Sequence, residues 1–240
     1  MKMSSGLHSD QRRPDLYDFT EQQCQNLDLS TRREWLLANG LGGFAMGTIS
    51  GINTRRYHGH LVAAIGSSSD RFVLLAAVDA FMQGDHQQVG ISSNQYPGAV
   101  YPEGHYFLRR VTVESDRVTW LYRSAGLQVE KQIRLVKGSN TAVLTYTNSG
   151  DQQILLTLRP LVSHKPYHSN FNASDGYPGQ MAFPKDETVI THQGIDLVLA
   201  HPSAQRMPVQ GWYYRFENER EADRGLEPRD DLFCPCELKY

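Results

Sequence analysis

Leu127-Gln128-Val129-Glu130-Lys131-Gln132-Ile133-Arg134-Leu135-Val136 alternates apolar and polar residues over almost its whole length. Successive side chains of a strand point to opposite faces, so Leu127, Val129, Ile133 and Leu135 share one face and Gln128, Glu130, Gln132 and Arg134 the other. An antiparallel strand buried on one side requires this pattern. Lys131 is the exception, a cation on the apolar face.

Similar runs lie on both sides: Phe107–Glu114, Arg117–Ser124, Thr141–Asn148 and Gln153–Pro160. Between them stand turn residues at Ser115-Asp116, Ala125-Gly126, Gly138-Ser139 and Ser149-Gly150-Asp151. Short strands at this regular spacing predict a meander in a sandwich. Strand patterns return at Glu187–His192 and Ile195–His201, joined by Gln193-Gly194, and again at Trp212–Phe216. Phe72–Met82 is apolar throughout and is read as a strand, although periodicity does not separate that from a short helix. No long segment repeats with helical period. The expected fold is therefore all-β: two packed antiparallel sheets with few short helices.

The 240 residues suffice for one large domain, and with 40% hydrophobic residues, 21% charged and a net charge of −2 neither disorder nor nucleic-acid binding is expected. No stretch is apolar enough to span a bilayer, and Met1–Arg13 is too polar for a signal peptide, so the expected compartment is the cytoplasm. Cys24, Cys234 and Cys236 form no CxxC pair, which predicts reduced thiols and no metal site. Asn218–Asp231 mixes acids with Arg220, Arg224 and Arg229 and reads as a solvated linker or loop, after which Leu232, Phe233, Leu238 and Tyr240 look like the start of another strand in a longer chain.

The segment Trp35–Gly51 contains G-x-G-x-x-A, but Gly47-Thr48-Ile49-Ser50-Gly51 is a poor helix and no acid lies between Glu34 and Asp70, so a dinucleotide site is not expected. The glycines instead predict tight turns that bring a loop back against another surface. A capping box at Thr31–Glu34 would leave barely two helical turns before Gly40 and is set aside. Neither a nucleophile elbow, a P-loop nor H-E-x-x-H occurs, and no cofactor is expected. A glycosidase carboxylate pair leaves no linear signature.

Chemistry concentrates in Asn53-Thr54-Arg55-Arg56-Tyr57-His58-Gly59-His60, where guanidiniums, an aromatic ring, an amide and imidazoles offer donors and a stacking face to a sugar or to a partner's carboxylate. An ordinary charged strand has the same composition. His58 and His60 would share a strand face. His164-Lys165-Pro166-Tyr167-His168 places two histidines at helical spacing, which Pro166 opposes. From His164 to Tyr177 the aromatic and amide mixture suits sugar stacking or a long exposed loop equally.

Glu34–Ala45, Gly47–Gly51 and Asn53–Gly59 together resemble the amino-terminal domain of bacterial and archaeal glycogen debranching enzymes, as do Tyr101-Pro102-Glu103-Gly104, Trp212-Tyr213-Tyr214 and Asp230-Asp231-Leu232-Phe233. Met46 and His60 depart from that pattern. The resemblance implies an extension over residues 1–28, partly flexible, and a β-sandwich over 29–240. It further implies that an (α/α)-barrel with amylo-α-1,6-glucosidase activity is absent from this chain. The chain would then hold no catalytic residue of its own. Its expected partners are glycogen or a related α-glucan, the barrel domain and, with the barrel's contact surface uncovered, a second copy in a homodimer. Asn39, Asn53, Arg55, Arg56, Tyr57, His58, Tyr101 and Trp212 are the residues expected at the glucan or at the domain interface. The alternative is a free-standing sugar-binding or mutarotase-like sandwich with His58, His60 or His164 near the ring oxygen.

Overall fold

The computed structural model describes residues 16–66, 70–85, 87–176 and 179–240; Met1–Arg13, the first part of the 1–28 extension, and Tyr177 lie outside the described residues. Two antiparallel sheets face each other. The smaller runs Tyr17–Thr20, Leu108–Val113, Arg117–Ser124, Leu127–Leu135, Ala142–Asn148. Its last four strands are the first four of the expected meander, with bounds within one residue of those read from alternation, whereas the fifth run, Gln153–Pro160, belongs to Leu155–Pro166 in the larger sheet. Its first strand comes from the extension and pairs Tyr17 with Val113 and Thr20 with Arg110.

The larger sheet runs Gln205–Glu217, Arg229–Lys239, Leu155–Pro166, Arg71–Gln83, Gly59–Ala64, Phe44–Thr48, Glu34–Ala38, with Gln88–Gly90 also paired to Arg71–Gln83. The apolar run at Phe72–Met82 is thus a strand. His164 and Lys165 lie in one too, not in a helix, with a break in register between Val162 and Lys165 and a positive φ of 52° at His164. A three-stranded sheet, Gln180–Ala182, Glu187–His192, Ile195–Ala200, and a hairpin, Ser93–Tyr96 with Ala99–Glu103, complete the architecture. In the turn between Glu187–His192 and Ile195–Ala200, Gln193 and Gly194 have φ of 50° and 76°, the two positive values that a tight hairpin turn demands.

The core lies between the two large sheets. Trp35 of one meets Trp120 of the other edge to face at 5.6 Å, and their indole N–H groups donate to Thr48 O at 3.1 Å and Ile49 O at 2.9 Å. Lys131, the odd residue of the alternating strand, lies buried with its ammonium 5.2 Å from the Trp120 ring centre. The ring face offsets part of the cost of burying the cation, while burial pushes its pKa down to about 8.

The glycine-rich loop does what its composition predicts. Gly40 and Gly42 hold φ of +83° and +92°, and the loop folds back so that Asn39 N–H donates to Gly43 O at 3.1 Å. A Cβ on Gly43 would lie 2.6 Å from Asn39 Nδ2 and 2.8 Å from Asn140 Oδ1. Gly43→Ala should therefore destabilise the chain by about 1–3 kcal/mol in denaturant unfolding, the range for forcing extra atoms into a packed site. An unchanged midpoint would show that the loop yields freely.

One expectation holds only in part. In Asn218–Asp231 the stretch Ala222–Glu227 is exposed as expected of a loop, but the segment also forms the short helix Glu219–Ala222 and opens the strand Arg229–Lys239, with Glu221 0% and Asp230 5% exposed. Both acids are buried because basic residues distant in sequence meet them, which local composition does not reveal. All three cysteines are buried and free. Among the described residues no helix is long and apolar enough to cross a membrane.

Candidate functional site

On the outer face of the larger sheet, the irregular segment from Asn53 to His58 joins strands Phe44–Thr48 and Gly59–Ala64 and packs against the Asn218–Arg229 turn. Arg220 N–H donates to Thr54 O at 2.9 Å, which fixes one segment on the other. Asn53, Arg55, Arg56 and His58 line the small cavity between them, together with Lys165 and Asp230.

An ion pair and a neutral imidazole form the first part of the site. Arg55 Nε donates to Glu34 Oε1 at 2.6 Å, and His58 Nε2 lies 3.1 Å from the same oxygen. His58 Nδ1 accepts the Thr54 backbone N–H at 3.1 Å, so the proton sits on Nε2 and points at the carboxylate. The ring is 2% exposed, and burial lowers its pKa. The His58 hydrogen bond, with Arg55 beside it, holds Glu34 down to about 2 against desolvation. Tyr57 packs edge-on to His58 at 5.9 Å and under the Arg55 guanidinium at 5.8 Å.

Glu34 has a depressed pKa, so its stabilisation is fully present above the unfolded value of 4.5 and is lost as pH falls through about 2. Glu34→Gln should therefore flatten the stability profile between those values, as followed by urea midpoints at stepped pH. A variant profile parallel to wild type would refute the pairing.

The second part is deeper. Lys165 Nζ pairs with Asp230 Oδ2, both side chains being almost fully enclosed. Asp230 also accepts Phe171 N–H at 2.6 Å and Asn218 Nδ2 at 3.3 Å. Burial opposes both charges, raising Asp230 and lowering Lys165. Arg56, which also lines the cavity, pairs with Glu221, with Nη2 3.5 Å from Glu221 Oε2 and its backbone N–H 3.4 Å from Glu221 Oε1. Asn53 Nδ2 donates to Ala76 O at 3.1 Å.

The remaining candidates lie elsewhere. Asn39, 1% exposed, organises the glycine loop: its Oδ1 accepts Leu41 and Gly43 N–H at 2.8 and 3.0 Å, and its Nδ2 donates to Ser139 O at 3.0 Å. Trp212 is packed between Phe171 at 5.4 Å and Phe233 at 5.3 Å. Tyr101 stands out into solvent, 66% exposed. His58 and His60 do not share a strand face, because the strand starts at Gly59; His60 is half-buried, with no partner for its enclosed Nδ1. Sequence reasoning gave no site role to Lys165, Glu221 and Asp230, since the contact between Arg56 and Glu221 spans 165 positions and no local signal marks it.

Chemically the site is a set of neutralised charges. A general acid needs a pKa raised toward neutrality, whereas Glu34 is held ionised by two partners. Asp79, pushed up to about 6 by burial, is 2% exposed and accepts Asn94 Nδ2 at 2.8 Å. The cavity measures about 20 Å³, room for a water molecule but not for a sugar ring.

No curated protein matches the chain. A protein family does: the one described as glycogen debranching enzyme N terminal matches residues 33–240, which include both halves of the site and nearly every strand of the sandwich. The chain belongs to the glycogen debranching enzyme N-terminal family.

Proposed function

We propose that the chain is the non-catalytic amino-terminal sandwich of a glycogen debranching enzyme, and that a helical barrel joined to it hydrolyses the α-1,6 branch glucose. In this reading the Asn53–His58 segment is a rigid face presented to the barrel and is not itself a sugar site. One observation carries it: charges at the cavity are already paired, and the space among them is water-sized. Pre-paired, half-buried arginines offer their outer N–H groups to a carboxylate or a carbonyl of an incoming surface at little ordering cost.

A separately expressed barrel should bind the sandwich in sedimentation, and Arg55→Ala or Arg56→Ala should weaken that binding. Association that is unaffected by both variants would overturn the reading. The mutarotase-like alternative needs His58, His60 or His164 at a sugar ring; His58 and His164 are 2% and 3% exposed, and His60, half-buried in the strand Gly59–Ala64, is outside the lining of the cavity, which speaks against it.

A further inference from the structure

Away from the Asn53–His58 cavity, a groove of about 330 Å³ runs between strand Gln88–Gly90 and the segment from Tyr101 to Phe107. Phe81 and Phe107 contribute to its apolar lining, Tyr101 and Tyr106 line it with rings 66% and 55% exposed, and Gln88 and Glu103 add an amide and a carboxylate. The frame is rigid. A Cβ on Gly90 would lie 2.6 Å from Pro102 Cβ, so the Tyr101-Pro102 pair lies flat on the neighbouring strand. Gly104 N–H donates to Ser92 O at 2.9 Å, His105 N–H to Ser93 Oγ at 2.9 Å, and Tyr106 O accepts Gln25 Nε2 at 2.9 Å. The Tyr106 ring is braced against His105 at 4.1 Å.

Two large aromatic faces left in water on a fixed frame are a standing cost that a ligand relieves. The volume and the mix of apolar lining with a few polar groups fit a small-molecule site. A pyranose ring matches this chemistry in particular. Its C–H face packs on an aromatic ring, and its equatorial hydroxyls reach a carboxylate and an amide at the ring edge.

We infer that the Tyr101–Tyr106 groove binds an α-glucan chain, holding polymer on the sandwich at a surface separate from the barrel-facing segment. The identity of the sugar rests on the debranching-enzyme reading, but the test does not use the barrel. Failure here therefore differs from failure of the interface proposal, which is measured by domain association.

Isothermal titration of the 240-residue chain with maltoheptaose should give saturable binding, and cellohexaose, with the opposite linkage, should bind more weakly. Tyr101→Ala and Tyr106→Ala should each weaken the affinity about three- to tenfold, the scale of one aromatic contact. Tyr214→Ala, equally exposed but outside the groove, should leave it unchanged. Melting curves of the three variants should overlay wild type, since the substituted side chains are exposed. The inference is overturned by absence of binding up to about 10 mM maltoheptaose, by tyrosine variants that bind as wild type does, or by an equal loss in Tyr214→Ala. The first of these outcomes would leave the groove to a protein surface.

Discussion

Lys165→Met should lower the melting temperature of the chain by about 6–20 °C. The substitution keeps most of the buried volume but removes the cation, leaving the Asp230 carboxylate enclosed with only neutral donors, Phe171 N–H and Asn218 Nδ2. Breaking a buried ion pair from one side costs about 3–5 kcal/mol, and for a domain of this size each kcal/mol moves the midpoint by about 2–4 °C. Removing both charges is a different experiment, because no unpaired ion remains. Lys165→Met with Asp230→Leu should recover part of the loss, though not all of it, since Asp230 also ties down the Phe171 backbone. A single variant that melts within about 2 °C of wild type would mean that the pair contributes little or that water reaches it.

The second large effect concerns catalysis by the joined domains. In a debranching enzyme carrying this chain, Arg55→Ala or Arg56→Ala should reduce release of branch glucose at least tenfold. The side chains are 24% and 18% exposed here and would be desolvated under a docked barrel, where truncating one partner of a buried charged contact costs about 2–5 kcal/mol. Arg→Lys should not restore activity, because an ammonium does not reproduce the planar fork that holds Glu34 or Glu221 on one side and a new partner on the other. Near-normal kinetics in both alanine variants would reduce the segment to an internal brace of the sandwich.

How far the sequence carries the fold is clearest in two strands. Arg117–Ser124 and Glu187–His192 have the bounds that alternation predicts, because each buries one face and each neighbouring turn has its own residue chemistry. Asn218–Arg229 defeats the same reasoning. A run of alternating acids and arginines looks solvated when judged against its neighbours in sequence. Glu221 and Asp230 are buried by Arg56 and Lys165, whose identity matters only after the chain has folded. For the site, the Asn53–His58 cluster is visible as a concentration of functional groups, whereas its counterions are at positions 34 and 221, and the ion pair beside it joins positions 165 and 230. Asn39 and Trp212 sit in the motifs that mark the family, yet one closes a loop and the other packs among aromatic rings.

The long-range pairing of Arg56 with Glu221 also sets a schedule for synthesis. At a ribosomal pace of about 5–20 residues per second, the 165 positions between them take about 8–33 s to emerge, and the strand Arg229–Lys239 that sits between two others in the large sheet appears later still. Within that interval the meander of the small sheet is made and completed, its last strand ending at Asn148, while the strand Leu155–Pro166 and the Arg56 guanidinium wait for their later partners. Until Arg229–Lys239 emerges, Leu155–Pro166 is an open sheet edge, the kind of surface at which a chaperone would meet a nascent chain.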